Sequence, residues 1–396
     1  MLTRDSIQAI QQDLQNLGLA GWLFVNHHGM DPIAVTVLGQ PTALHSSRRW
    51  WYYLPATGEP VKLLHSVEPN MLHAVPGETR HYASRRLLEE RLAGLLPTGG
   101  AIAMQYSPRA EMPMISLVDA GTVELIRGLG VSVVSSAEIL QRQFARLSDA
   151  QIASHLAAMK LVHEVKDEAF ALIGRQMKGA QPPTDLGIQN FIVSRFAELG
   201  LTCDGHPPIV GVNENAADPH FSVDPAREVT IRPGDRVLLD LWARQNHEGS
   251  TYADICWCGF LGAEPEPEYA RLFGIAMESR DRAVDFLIRR LGSGQTATGA
   301  DVDRAAREVF EQQGVADFSV HRTGHSIDTS VHGRGANIDS YETTDTRLII
   351  PRTCFSIEPA LYAPPIGVRT EINVLIDPEN KVVVTGPVQR ELTRLD

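Results

Sequence analysis

The chain has 396 residues and a formal net charge of −12 at pH 7, with 36 Lys and Arg against 48 Asp and Glu. The length predicts two or three domains, and the acidic balance without a Lys/Arg block argues against nucleic acid or an anionic membrane as the main partner. No apolar run reaches transmembrane length, and the first twenty residues contain Arg4, Asp5 and Asp13, unlike a secretory signal. The four cysteines give no disulfide framework, so we expect a cytoplasmic protein.

The first 147 residues predict a small α/β domain. Ile7, Ile10 and Leu14 recur at helical spacing and Gly18 follows the pattern, which indicates an opening helix. Two β-rich runs around the turn sequence PATGEP predict a hairpin of strands 50–54 and 61–65. The other predicted elements are strands at 21–25, 101–106 and 131–135 and helices at 85–96 and 136–146. This alternation is typical of a compact α/β domain.

Residues 48–53, with the sequence RRWWYY, combine basic and aromatic side chains. Such a mixture is found in platforms that stack single-stranded nucleic acid. In an acidic chain with one such cluster, a half-buried strand is the favoured interpretation. Contact with a substrate held by a neighbouring subunit is the other interpretation that we keep.

A long helix is predicted to open the second domain. Ser148 and Gln151 form a capping-box signature, and Ile152, Leu156 and Met159 follow at helical spacing. The predicted domains are therefore residues 1–147 and residues 148–396. Further helices are predicted between residues 184 and 200, at 265–291 and at 299–313.

Residues 234–261 predict a β-hairpin that carries two carboxylates, with RQNHEG as its turn. A symmetric hairpin centred on His247 places Asp240 directly opposite Asp254, with Cβ atoms about 4.5–5.5 Å apart. Like charges facing each other in apolar strands are destabilising unless a cation lies between them, so the pair predicts a metal site. Cys256 and Cys258 could also be ligands, but strand alternation explains their spacing and no second cysteine pair exists.

A second hairpin with the same property is predicted at residues 354–376. A turn between Pro364 and Pro365 places Glu358 opposite Glu371, again within apolar strands. One facing pair of acids could be coincidental. Two such pairs in one domain favour a common site.

Several histidines lie close to these two hairpins in the sequence. His321, His325 and His332 lie within twelve residues just before the glutamate hairpin, and His220 follows a polar, loop-like stretch. Four carboxylates and one imidazole form a mostly oxygen ligand set, which suits manganese, with cobalt, iron or zinc as alternatives. Two divalent ions about 3.5–4 Å apart would fit between the facing acids.

At these residues the chain resembles the pita-bread metallopeptidases, a family that includes methionine aminopeptidase, Xaa-Pro aminopeptidase, Xaa-Pro dipeptidase (prolidase) and the metal-free relative creatinase. Its ordered ligands Asp, Asp, His, Glu and Glu match Asp240, Asp254, His325, Glu358 and Glu371. The motifs lie between about residues 150 and 390. The resemblance implies an α+β fold, in which a smaller α/β domain of the creatinase type precedes a pita-bread catalytic domain.

The resemblance also implies roles for individual residues. Asp240 would bind one metal ion, Asp254 and Glu371 would bridge both ions, and His325 and Glu358 would complete the set. Glu358 would also carry the proton from a metal-bridging hydroxide to the leaving nitrogen. Outside the ligands, the resemblance makes His220 the catalytic residue that stabilises the tetrahedral intermediate. His332 would be both catalytic and substrate-binding, since it matches a histidine that contacts the substrate near the scissile bond. His321 would also bind the substrate, and Arg369 would hold the substrate carboxylate.

The function that the resemblance implies is hydrolysis of the peptide bond before proline, most readily in Xaa-Pro dipeptides. Xaa-Pro aminopeptidase activity on longer peptides and a non-catalytic binding relative of the same fold are the alternatives. The family resemblance further implies a homodimer or a dimer of dimers. The preferred residue before proline and the metal used in the cell are not encoded in these motifs.

The chain departs from the family pattern at several positions. The small residues that usually surround the ligand histidine are replaced by the sequence GHSID. His206 replaces the tyrosine that usually lies fourteen residues before the position of His220, and Ile372 replaces the aspartate that often follows the last glutamate. None of these changes removes a ligand, but the change to His206 puts the substrate preference in question.

Overall fold

The computed structural model describes residues 2–41 and 46–395. The chain divides into two compact units, Met1–Gln143 and Phe144–Asp396. The sequence placed this division between residues 147 and 148. Among the described residues, no helix combines the length and the apolar character that crossing a bilayer requires.

The first unit contains a six-stranded mixed sheet with the strand order β4-β3-β2-β1-β5-β6. Its strands are β1 (Gly21–Asn26), β2 (Trp50–Pro55), β3 (Val61–His65), β4 (Glu78–Tyr82), β5 (Ala101–Met104) and β6 (Ser132–Ser135). Its helices are α1 (Arg4–Asn16), α2 (Pro32–Val37), α3 (Arg85–Ala93), α4 (Ala120–Gly128) and α5 (Ala137–Phe144). The predicted hairpin is present as the antiparallel pair β2 and β3. The sequence did not predict α2, α4 or β4.

The aromatic run in β2 is buried on both faces of the sheet. Trp50, Trp51 and Tyr52 are at most 1% exposed, and Tyr53 is 5% exposed. These rings are core residues and cannot stack with nucleic-acid bases, because an aromatic platform must be accessible. The segment is a strand, as the favoured interpretation has it, but its aromatic side chains are fully rather than half buried.

In the second unit, residues 144–395 form four α-helices and three small sheets. The helices are α6 (Asp149–Met177), α7 (Asp185–Glu198), α8 (Pro267–Gly292) and α9 (Gly299–Gln312). The strands before α8 are β7 (Leu201–Thr202), β8 (Ile209–Val212), β9 (Arg236–Gln245) and β10 (Ala253–Phe260). The strands after α9 are β11 (Ser326–Ile327), β12 (Cys354–Ile357), β13 (Ala360–Ala363), β14 (Ile366–Arg369), β15 (Ile372–Ile376), β16 (Val382–Val384) and β17 (Thr393–Arg394).

Helix α6 begins where its capping box predicts. The Ser148 hydroxyl accepts from the Gln151 N–H, and the Gln151 side chain accepts in return from the Ser148 N–H. The helix packs on the face of the β9–β10 hairpin that carries Leu239, Leu241 and Ile255. The side chains of Asp240 and Asp254 alternate with these residues and therefore lie on the opposite face of the hairpin.

The predicted register of the aspartate hairpin is wrong. Asp240 pairs with Cys256, and Asp254 pairs with Trp242, so the two acids are diagonal neighbours on one face rather than directly opposite. The last residues of β9, Arg244 and Gln245, pair with β7 on the other edge instead of with β10. The hairpin is therefore asymmetric, and its centre lies beyond His247.

The predicted register of the glutamate hairpin is confirmed. Ala360 pairs with Arg369 in the ribbon of β13 and β14, and Ile357 pairs with Ile372 between β12 and β15. Both pairs continue one register, in which Glu358 and Glu371 occupy opposite positions. Pro364 and Pro365 form the turn between Ala363 and Ile366.

Candidate metal centre

The aspartate hairpin and the glutamate hairpin are joined by hydrogen bonds next to the acids themselves. The Asn373 carboxamide accepts from the Asp254 N–H at 2.9 Å and donates to the Asp254 carbonyl at 2.7 Å. The Glu371 N–H donates to the Cys256 carbonyl at 3.2 Å. These bonds bring Asp254 and Glu371 together from different sheets.

His325 is fixed beside the acids by the neighbouring strand β12. Its N–H donates to the Ser356 hydroxyl at 3.0 Å, and its carbonyl accepts from the Ser356 N–H at 2.8 Å. The same hydroxyl donates to Glu358 Oε1 at 3.1 Å. The His325 ring therefore directs Nε2 towards the carboxylates, 3.6 Å from Asp254 Oδ2 and 3.3 Å from Glu358 Oε1.

Three of the five predicted ligands form a compact group. Within the described part of the chain, Asp254, His325 and Glu371 place one ligand atom each within 4.8 Å of one another, and all three are buried. Glu358 adjoins this group through His325. Donor atoms grouped in this way could hold a cation.

Asp240, the remaining predicted acid, pairs with Arg369, the residue that the resemblance assigned to the substrate carboxylate. The Arg369 guanidinium forms an ion pair with Asp240 Oδ2 and donates to the Tyr362 hydroxyl at 3.1 Å. It also donates to the Pro219 carbonyl at 3.5 Å. Arg369 is 6% exposed, so in this structure it neutralises a carboxylate of the site.

Burial dominates the electrostatics of the site. It raises the pKa of Asp240 to about 6, against the opposing effect of Arg369. Burial, reinforced by neighbouring carboxylates, also holds the pKa values of Asp254 and Glu371 well above their usual range. Burial lowers the pKa of His325 to about 4, so its imidazole is neutral at neutral pH and available as a ligand.

The acids have unsatisfied bonding capacity, which is the test of whether metal ions fit here. Asp254 Oδ1 and Glu371 Oε1 are buried and accept no hydrogen bond in the described structure. A buried carboxylate without a partner is costly unless a cation compensates it. Carboxylate oxygens with one imidazole nitrogen form the donor set of divalent transition metals. The residues therefore fit divalent ions.

The remaining predicted site residues surround the acids in a cavity of about 710 Å³. His332 lies edge-on to His325, with ring centroids 4.4 Å apart. His321 Nε2 lies 2.9 Å from the Tyr362 hydroxyl, and its Nδ1 lies 2.6 Å from the Arg322 carbonyl. His220 lines the cavity, as does His206. All the predicted site residues therefore border one cavity.

Sequence reasoning missed three residues that shape the site. Asn373 joins the hairpins, Tyr362 links His321 to Arg369, and Arg322 lines the cavity. Asn373 could have been suspected, because a polar side chain two residues after Glu371 shares its strand face. Cys256 and Cys258 are not part of the group formed by Asp254, His325 and Glu371, and Cys258 Sγ instead donates to the Arg369 carbonyl.

Comparison with known proteins identifies the same region. Residues 155–378 match the family described as metallopeptidase family M24. The Xaa-Pro dipeptidase of Pyrococcus furiosus is 30% identical over 185 residues, which cover 46% of this chain and 48% of that protein. The first curated relatives are matched over 63%, 54% and 65% of their own lengths.

Two solved structures share the fold over nearly the whole chain. Dipeptidase PepE from Mycobacterium ulcerans superposes with a TM-score of 0.65 at 22% identity, covering 98% of this chain and 96% of that one. A prolidase from Thermococcus sibiricus superposes with a TM-score of 0.60 at 19% identity, covering 100% of both chains. The predicted fold, with a pita-bread domain after a smaller α/β domain, is confirmed. Because the family match covers more than half of its length, this chain belongs to metallopeptidase family M24.

Proposed function

We propose that the protein is a dimetal-dependent peptidase that hydrolyses the peptide bond before proline, with Xaa-Pro dipeptides as its main substrates. The observation that carries the proposal is the pair of buried, unpartnered oxygens, Asp254 Oδ1 and Glu371 Oε1, next to the neutral imidazole of His325. Membership of a metallopeptidase family supports the reaction class.

Five side chains would hold the two ions. They are Asp240, Asp254, His325, Glu358 and Glu371. When bound, the ions would supply Lewis-acid chemistry, in that they lower the pKa of a water molecule and compensate negative charge on the reacting carbonyl. Manganese is the ion that the oxygen-rich donor set favours.

The protein's own side chains supply proton transfer and orientation. Glu358 lies in the cavity with Oε1 close to Ser356 and His325, where it can accept a proton from the attacking water and return it to the leaving nitrogen. His220 and His332 border the cavity and can donate hydrogen bonds to the carbonyl oxygen as its charge develops.

Proline suits this type of site because its peptide nitrogen carries no hydrogen. A peptidase that recognises the substrate through that N–H cannot use the contact with proline. In this cavity the acids and histidines would act on the carbonyl side of the bond. Pro207, Pro208 and Trp242 add apolar lining for a small ring.

Xaa-Pro aminopeptidase activity is the second candidate, and the size of the cavity favours it. The volume of about 710 Å³ lies in the upper part of the range for small-molecule pockets, about 300–1,000 Å³. It leaves room for residues after proline. His206 and Ser222 lie in exposed parts of the lining and mark a side from which a longer peptide could enter.

Comparison of peptides of different length tests the proposal. We expect hydrolysis of glycyl-proline and alanyl-proline that depends on added manganese and is lost in the Glu358→Gln variant. The kcat/KM for an Xaa-Pro tripeptide should be lower than that for the dipeptide. Preferential cleavage of the tripeptide would establish the aminopeptidase instead. Manganese binding without hydrolysis of either peptide would favour the non-catalytic relative.

A further inference from the structure

Arg322 is a cationic side chain of the cavity to which the fold gives no other task. It lies three residues before His325, is half-buried, and lines the cavity together with His332 and Glu342. Within residues 2–41 and 46–395, its guanidinium forms neither an ion pair nor a hydrogen bond. A half-buried guanidinium without a partner can bind an anion that enters the cavity.

The backbone of Arg322 is held in place although its guanidinium is not bonded. Its N–H donates to Glu342 Oε1 at 2.8 Å. Its carbonyl lies 2.6 Å from Nδ1 of His321. The start of the side chain is therefore fixed, and binding a ligand would order only the side chain itself, which reduces the entropic cost.

Arg322 lies on the same cavity as the residues around the reacting bond. It lines that cavity together with His325, His332 and Glu358. Its positive charge is therefore available to an anion bound beside these residues.

Arg369, by contrast, is already engaged. It pairs with Asp240 and donates to Tyr362, and it is nearly fully buried. Turning it towards a substrate would leave the buried Asp240 carboxylate without its partner, which is costly. Arg322 can bind an anion without breaking any ion pair.

We propose that Arg322, rather than Arg369, binds the terminal carboxylate of the substrate. The inference rests on the proposed function and specifies its substrate class, namely short peptides that end in a free carboxylate close after the scissile bond. A guanidinium can hold a carboxylate through two parallel hydrogen bonds, which a terminal amide cannot accept. Arg322 would therefore distinguish a free C-terminus from a blocked or extended one.

Binding to the metal-free protein tests this inference without turnover. Glycyl-proline and glycyl-prolinamide are titrated by calorimetry into chelator-treated wild-type protein. We expect the acid to bind at least about 10-fold more tightly than the amide, as a charge-assisted bidentate contact allows. Arg322→Gln should reduce this ratio to about 1, and Arg322→Lys should give an intermediate ratio because it keeps the charge but loses the fork.

Arg334→Gln is the matched control. Arg334 is an exposed arginine that follows His332 by two residues, and its side chain does not line the cavity. We expect this variant to keep the wild-type ratio. If Arg322→Gln does not fold, the Arg322→Lys ratio decides: a reduced ratio supports the inference, and an unchanged ratio overturns it.

Several outcomes would overturn the inference. They are equal affinity of wild-type protein for the acid and the amide, no detectable binding of either at millimolar concentration, and loss of the ratio in Arg334→Gln but not in Arg322→Gln. A failure of the proposed function looks different, because hydrolysis would then be absent while the binding ratio persists. With manganese added, the same ratio should appear in KM rather than in kcat.

Discussion

The carboxamide of Asn373 pairs with both backbone groups of Asp254, as a neighbouring strand would. It accepts from the Asp254 N–H and donates to the Asp254 carbonyl. Asn373 is 1% exposed, so these bonds are shielded from bulk solvent. The position of an acid from one hairpin is thus set by a side chain from the other.

Asn373→Ala should weaken both metal binding and the stability of the fold. The change leaves two buried backbone groups unpaired, which costs about 1–3 kcal/mol. It also releases Asp254 from its position, and loss of such a supporting residue reduces metal affinity by about 10- to 100-fold. Titration with manganese, together with thermal unfolding of the metal-free protein, measures both effects.

Gln389→Ala is the matched control for that experiment. The Gln389 carboxamide forms the same pair of hydrogen bonds with the backbone N–H and carbonyl of Cys258, at 3.0 Å and 2.6 Å. Cys258 lies in the same strand as Asp254 but further from the acids. We expect a similar loss of stability with a much smaller change in manganese affinity. Equal losses of affinity in the two variants would mean that Asn373 supports the fold only.

The two hairpins differ in how well their sequences specify register. In the glutamate hairpin, Pro364 and Pro365 form a tight turn, and a short turn leaves one way to pair the flanking residues. In the aspartate hairpin, Ser250 donates to the carbonyls of Gln245 and His247 within a long turn. Such a turn permits several registers. Strand β9 also pairs with β7 and β8 on its other edge, and this pairing is not evident in the local pattern.

Asp254→Asn should leave the metal-free protein as stable as the wild type or more stable. Burial raises the pKa of this acid in the folded state, so its contribution to stability is lost as the pH rises through that pKa. At neutral pH, the neutral amide avoids the cost of ionisation beside Asp240 and Glu358. Urea unfolding of chelator-treated protein measures the difference in the free energy of unfolding.

Manganese should reverse the order of the two proteins. At about 100 times its Kd, the ion should stabilise the wild type by about 2.7 kcal/mol and Asp254→Asn by much less. Asp303→Asn is the control, because Asp303 is a buried acid with partners: it accepts from Thr323, Ser340 and Arg307. That variant should lose stability with or without metal. A clear loss of stability in metal-free Asp254→Asn would contradict the charge argument.

Gly324→Ala should displace His325. A Cβ atom on Gly324 would lie 2.1 Å from the Ser356 carbonyl oxygen, so β12 would have to move. Such crowding costs about 1–3 kcal/mol and separates His325 from the Ser356 hydroxyl that holds it. We expect lower stability and weaker manganese binding, measured by thermal unfolding and by titration.

Gly274→Ala is the corresponding control in helix α8. A Cβ atom there meets nothing within 4 Å, and alanine favours a helix over glycine by about 0.5–1 kcal/mol. This variant should be neutral or slightly more stable, with unchanged manganese binding. A Gly324→Ala variant that binds manganese as tightly as wild type would show that His325 is not positioned by this contact.

The candidate ligand residues could be singled out in the sequence because acids in apolar strands are conspicuous. The side chains that pair with those residues could not be predicted from the sequence. Arg369 reaches Asp240 from β14, and the two are far apart in the chain. Their pairing depends on how the glutamate ribbon docks on the aspartate sheet, and no local periodicity encodes that docking. The free guanidinium of Arg322 becomes apparent only once the pairing of Arg369 is known.

His163 should make the protein less stable in acid. It is 5% exposed, and neither ring nitrogen has a partner within the described chain. Burial, followed by the charge of Lys166, lowers its pKa from 6.5 to about 4. Its contribution to stability is therefore complete above pH 6.5 and is lost as the pH falls towards 4, by roughly 3 kcal/mol in all.

The His163→Leu variant should lose less stability than wild type when the pH is lowered. Leucine fills the apolar site beside Trp257 and does not take up a proton. The free energy of unfolding is measured with urea at about pH 7 and about pH 4.5 for each protein. The loss between the two pH values is then compared between wild type and variant. Titration of the metal centre contributes equally to both losses and cancels. His247→Leu, which changes an exposed turn histidine, should behave as wild type. If His163→Leu loses as much stability in acid as wild type does, then His163 accepts its proton in the folded state as readily as in the unfolded chain, and the buried ring must have a route to water.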